Sequence, residues 1–168
     1  MTLSMYQASV PVFLRGLESL STILNKAAAH AEARKIDPAV FINARLAPDM
    51  FALARQVQIA SDAAKGCVAR LAGAEVPSYP DTETTFAELT ARVARTIAFV
   101  KGFAAAQIDG SEDRNVTLKM RGQDRTFRGQ AYLFNLALPN FYFHITTAYD
   151  ILRHNGVELG KSDYLGAL

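Results

Sequence analysis

Apolar residues recur at steps of three and four along most of this chain, and the places where that rhythm fails mark its connections. Ser4 and Gln7 form a capping-box pair, and Tyr6, Val10, Phe13, Leu17, Leu20, Leu24 and Ala27 then predict an amphipathic helix running to about residue 33. Pro11 lies inside that pattern, where a missing backbone donor predicts a bend. Asp37-Pro38 predicts a capped short helix through about Ala44, and Ala47-Pro48-Asp49 predicts the start of a second long one. Met50, Leu53, Ala54, Val57, Ala60, Ala64, Val68 and Leu71 form its stripe. Phe51 and Ile59 fall off it, which implies cover from a second side, by the short helix or by a partner subunit.

The segment from Gly73 to Pro80, with two prolines, predicts an extended connection. Thr85 with Glu88 is a second capping box, opening a third long helix through Phe86, Leu89, Val93, Ile97, Val100 and Ala104 to about Gln107. Arg92, Arg95 and Lys101 lie outside its stripe and read as a solvated face. The period then changes to two. Val116, Leu118 and Met120 alternate with Thr117, Lys119 and Arg121, which predicts a β-hairpin turning around Arg121 to Asp124. After Gly129 a last helix carries Tyr132, Leu133, Leu136, Phe141, Phe143, His144, Ala148, Ile151 and Leu152, with Pro139 in its middle and Arg153-His154-Asn155-Gly156 as its end. The apolar residues of the tail, Val157 to Leu168, are expected either to fold back or to pack on a neighbour. The pattern is all-α, four long helices with one short hairpin between the third and fourth. The three long connections leave helix order open between up-and-down and crossover forms.

Composition adds limits. A chain of 168 residues is the size of one domain, 1–168, able to bury roughly two-thirds of its unfolded surface. The net charge of +2 comes without any run of Lys or Arg, which argues against nucleic acid or an anionic membrane as partner. No window has the length of a membrane span, and no basic-then-apolar leader opens the chain, so a cytoplasmic location is expected. The single cysteine, Cys67, sits at the edge of an apolar stripe and reads as a packed side chain.

The candidate chemistry centres on His144. Phe141 precedes it by three residues, and Ala148 and Ile151 follow by four and seven, so its side chain follows an apolar stripe inward. A buried imidazole needs a hydrogen-bond partner, and Gln56, Gln58, Asp62 and Tyr6 are the candidates. His30 and His154 lie near helix C-termini, where the helix dipole favours a solvated imidazole, although His30 also suits a ligand at the mouth of a bundle. Other chemistries lack their motifs. There is no Gly-rich phosphate loop, no Gly-x-Ser-x-Gly elbow and no Cys-x-x-Cys, and Glu112-Asp113 reads as loop surface charge.

The stretches MYQASVPVFLRGL, ARQVQIASDAAKG with ARLAG, and FHITTAYDILRHNGVELGK resemble a branch of the DinB/YfiT-like superfamily known only as a domain of unknown function. The likeness runs over nearly the whole chain and implies a four-helix bundle. Members of the wider superfamily are regarded as metalloenzymes, holding a metal by one histidine on the second helix and a His-x-x-x-His pair on the last. Carried over, His144 matches the first of that pair, Ala148 stands at the second, and the second helix has no histidine, Gln56 or Gln58 lying near the corresponding place. The resemblance therefore implies that the metal has been lost and no cofactor kept. Were a divalent metal such as zinc or nickel to bind, His144, Asp62 and a water would hold it. The expected function is a small-molecule pocket near His144, Pro11 and Pro139, or an interaction role, in a homodimer. The alternative is a metal-dependent hydrolase or thiol transferase using a degenerate site around His144.

Overall fold

The computed structural model describes residues 4–166. Its elements are α1 (Val10–Arg34), α2 (Pro38–Ile42), α3 (Leu53–Ala72), α4 (Phe86–Lys101), α5 (Ala105–Ile108), β1 (Asn115–Met120), β2 (Gln123–Arg128), α6 (Gly129–Tyr132), a π-helical segment (Leu133–Ala137), α7 (Leu138–His154) and α8 (Lys161–Leu165). The protein is mostly helical with one small antiparallel sheet. Helix α3 packs between α4 and α7, and α1 packs against the same two helices. Hydrogen bonds join residue 56 to 144 and residue 70 to 132, so α3 runs antiparallel to the chain leading through α7.

The apolar stripes meet in one core. Phe13, Leu17, Leu20 and Leu24 of α1, Leu53, Val57 and Leu71 of α3, Leu89 and Val93 of α4, and Phe141 and Ile151 of α7 are buried there. Phe13 and Phe141 pack edge to face with centroids 4.9 Å apart. Gly16 lets α7 approach α1 closely, since a Cβ there would lie 2.6 Å from Phe141 Cε1.

Several boundaries differ from the sequence expectation, each for a local reason. Ser4 and Gln7 do exchange capping bonds, but residues 5–9 form turns and α1 proper begins at Val10. Pro11 is thus in a first turn, where its missing N–H costs nothing, and it causes no mid-helix bend. Pro48 does not start the second long helix. Residues 43–52 turn instead, the backbone N–H of Leu53 bonds Ala44 O, and α3 starts at Leu53. Helix α4 stops at Lys101 because Gly102 closes it and Phe103 turns back onto Val100, with α5 a separate short piece. Pro139 cannot donate to residue 135 and its ring would crowd that carbonyl in a regular helix. The chain accommodates it with the wider π turn over 133–137 immediately upstream.

The hairpin pairs Asn115 with Arg128 through Met120 with Gln123. Arg121 (φ 51°) and Gly122 (φ 80°) are both left-handed, the two-residue turn that matches strand twist. Val116 is buried, so the sheet leans on the helices rather than standing free. Over its described residues, 157–166, the tail folds back. Helix α8 lies on α1, fixed by Lys26 Nζ to Asp163 at 2.6 Å.

Candidate functional site

His144 enters the α3–α7 interface from the second turn of α7 and is 7% exposed. Its Nδ1 lies 2.6 Å from Gln56 Oε1, near the start of α3, and Gln56 is itself 1% exposed. The amide's other end donates to the carbonyl of Phe51 at 2.9 Å. A carbonyl only accepts, so the NH2 group faces Phe51, Oε1 faces His144, and the imidazole carries its proton on Nδ1 with a lone pair on Nε2. Burial, with the nearby positive Arg55, lowers the His144 pKa to about 4, and the ring is neutral at ordinary pH. Phe143 sets its ring edge to face against the imidazole at 5.2 Å. Phe143 is 56% exposed, so its ring borders the imidazole uncovered, and the ring of Phe51, 57% exposed, has the Arg55 guanidinium 6.0 Å from its centroid.

The other predicted site residues lie apart from this pair. Gln58 is buried, accepting from Arg55 at 3.3 Å and donating to Glu83 Oε2 at 3.0 Å. Asp62 pairs with Arg92 at 2.9 Å and Lys65 at 3.0 Å. Tyr6 directs its backbone N–H to Asp109 at 2.8 Å. His30 packs edge to face on Phe41, and His154 is exposed. Pro11 and Pro139 are both exposed. Burial pushes the Cys67 thiol far up, away from the thiolate.

Arg92 corrects the sequence reading. It is no solvated charge: its side chain is 2% exposed and gathers Asp62, Asp81 and Glu83 at 2.9 to 3.0 Å, and Pro80 O at 3.0 Å. Burial alone would raise the Glu83 carboxyl, but hydrogen bonds from Arg92 and Gln58 outweigh it and hold the group lower. Lys65 donates to Pro77 O at 2.8 Å, and Arg55 also pairs with Asp81. The connection after α3 is therefore a strap held by cations of α3 and α4. Tyr79 of the strap is buried, with Arg95 over its ring at 3.9 Å and Lys65 at 4.7 Å. A cavity of about 310 Å³ opens there, lined by Tyr79, Thr82, Glu83, Arg92 and Arg95. The sequence signal for this cluster was the acidic pair Asp81 and Glu83 in a Pro-bounded segment; only the fold brings it to Arg92.

The residues around His144 do not offer the donor set of a three-imidazole metal site. The position four residues on is the buried methyl of Ala148, and both ends of the Gln56 amide are engaged. Asp62 is held by two cations. Among the described residues no three His, Cys, Asp or Glu side chains are grouped to hold a metal ion. No described helix is long and apolar enough to cross a membrane.

No curated protein matches the chain. It is similar to a solved structure, a DinB family member protein from Shewanella denitrificans, at 46% identity and a TM-score of 0.88, over 97% of this chain and 92% of that one. A family model, domain of unknown function DUF1993, matches residues 5–165. With that match spanning nearly the whole chain, the protein belongs to the DUF1993 family, a DinB-like domain of unknown function.

Proposed function

We propose that this chain is a DinB-like four-helix bundle in which a buried histidine–glutamine pair has replaced the superfamily's metal site. It acts as a small-molecule-binding or interaction protein rather than a metal-dependent enzyme. The observation that carries this reading is the 2.6 Å bond between His144 Nδ1 and Gln56 Oε1, with Ala148 buried where a second imidazole would be needed. One neutral imidazole backed by an amide is a poor zinc or nickel site. An imidazole whose conjugate acid has a pKa of about 4 is also a weak general base at neutral pH, and among the described residues its hydrogen-bond partner is an amide, not a carboxylate that would raise that value. What it offers is an acceptor at Nε2 beside the exposed ring of Phe143, a recognition group for a ligand N–H or O–H. The alternative, a metal-dependent hydrolase or thiol transferase, would need oxygen donors in place of two imidazoles, and Asp62 is committed to Arg92 and Lys65.

The test is elemental analysis of protein purified without an affinity tag, with thermal unfolding over zinc, nickel and manganese. Metal-free protein whose melting temperature ignores every ion is the expected result. Near-stoichiometric metal would overturn the reading, because native-state binding at a hundredfold excess over Kd stabilises by about 3 kcal/mol.

A second reading, self-association, is favoured by the exposed Phe51 and Phe143, whose backbone carbonyl and ring respectively meet the Gln56–His144 pair. A homodimer burying that face, in the cytoplasm, is the form proposed. Light scattering at micromolar concentration should give twice the 18.3 kDa monomer mass, and a Phe51→Ser, Phe143→Ser double variant should return it to 18.3 kDa. A wild-type monomer would refute it.

A further inference from the structure

Away from His144, a cavity of about 330 Å³ lies between α3, strand β1 and the π-helical segment. That volume is at the small end of the about 300–1,000 Å³ typical of ligand pockets. Its walls are apolar, with Ile59 from α3, Leu118 and Met120 from β1, and Leu136 from the π segment. Leu118 and Met120 share the strand face that carries buried Val116, so the hairpin lays its apolar side over the cavity. The π turn shapes the opposite wall, the kind of local widening that recurs at binding sites.

The cation deepest in the helical wall of the cavity, Arg70, has no counter-ion among the described residues. Arg70 is half-buried and donates from Nη1 to the neutral hydroxyl of Tyr132 at 3.1 Å, and among the described residues no carboxylate lies within ion-pair distance of it. The guanidinium folds back over Gly66, where a Cβ would stand 2.4 Å from Nη1, so the absence of a side chain at 66 leaves room for it. The hydroxyl of Tyr132 stays protonated, burial having raised its pKa to about 12. Asn140 adds an amide at the rim, and Lys119 a further cation on β1. Asp62 also lines the cavity, but two cations already neutralise it.

We propose that this cavity binds a small organic monoanion, a carboxylate carrying an apolar body, with Arg70 as its anchor. Fork geometry suits a guanidinium to a carboxylate, and a partly desolvated guanidinium without an anion gains most from acquiring one. The apolar walls take the body of the ligand, a part that inorganic phosphate lacks. The assignment stands on Arg70 and the hairpin, independently of what His144 does.

The experiment follows backbone amide resonances of the full chain during titration with octanoate and with 3-phenylpropanoate, using octan-1-ol and inorganic phosphate as controls. Saturable shifts at Ile59, Leu118, Met120 and Leu136 are expected from the two carboxylates, and none from phosphate. Arg70→Met weakens carboxylate binding by about tenfold or more, the size of a lost charge-assisted bond. Asn140→Asp, which keeps shape but adds a negative charge at the rim, weakens the carboxylates and leaves octan-1-ol unchanged, and it decides the matter if Arg70→Met fails to fold. No saturable shift at these residues with either carboxylate, or carboxylate affinities unaltered in the folded variants, would overturn the proposal.

Discussion

Gln56 binds His144 through its amide oxygen and the carbonyl of Phe51 through its amide nitrogen, so one side chain ties α3 to α7 and to the turn before α3. Gln56→Leu leaves the Nδ1–H and the carbonyl without partners inside the protein, at a cost of about 1–3 kcal/mol in denaturant unfolding. Gln56→Glu instead sets a carboxylate against the ring and should move the His144 pKa up from about 4 toward or past neutrality, read by NMR titration. A value unchanged in Gln56→Glu would show that the pair does not form in solution.

The same buried imidazole predicts a pH dependence. Its folded pKa of about 4 lies below the ordinary 6.5, so the unfolded chain takes up the proton first as pH falls. The contribution of His144 to stability is full above pH 6.5 and is lost as pH drops to about 4, amounting to at most about 3 kcal/mol. Urea unfolding from pH 7.5 to 4.5 should show this slope, flattened in His144→Asn, whose amide N–H can still meet Gln56. Equal slopes in both proteins would remove the buried, depressed histidine from the account.

Gly16 offers a test by sign. An interior helical glycine changed to alanine ordinarily gains about 1 kcal/mol. Here the new Cβ would meet Phe141 at 2.6 Å and Ile145 at 3.1 Å inside a filled core, so Gly16→Ala should destabilise by about 1–3 kcal/mol. A raised melting temperature would mean that α1 and α7 are less closely packed than described.

Arg92 should matter for the strap more than a surface arginine does. Arg92→Met leaves Asp62, Asp81 and Glu83 without their shared cation and should cost about 3 kcal/mol, with faster hydrogen exchange over residues 76–83. Arg92→Lys should recover little of it, since one ammonium cannot span three carboxylates and the carbonyl of Pro80. A loss below about 0.5 kcal/mol for Arg92→Met would place the strap's stability elsewhere.

The long helices were legible because each buries a stripe of regular period against the same core, and the hairpin because its period changes to two and its turn carries Gly122. The π segment was not, because it is a backbone answer to Pro139 that no side-chain pattern records. The helix ends at Leu53 and Lys101 were misplaced because Met50 and Ala104 continue the apolar rhythm without continuing the helix. At the site, polar residues on apolar faces pointed to His144 and Gln56, but only the antiparallel register of α3 and α7 chooses Gln56 over Gln58, two residues away on another side of its helix. Arg92 was misread because its partners arrive from a connecting segment and from α3, contacts that exist only once the chain has folded.

The most direct test of the central claim, that His144 is held by an amide rather than by a metal, is the nitrogen NMR spectrum of its imidazole ring across pH, with and without equimolar zinc. The expected spectrum is that of a neutral ring protonated on Nδ1 down to its pKa of about 4, with resonances that zinc leaves in place. A ring that titrates near the ordinary 6.5, or an Nε2 resonance that shifts stoichiometrically with zinc, would contradict it.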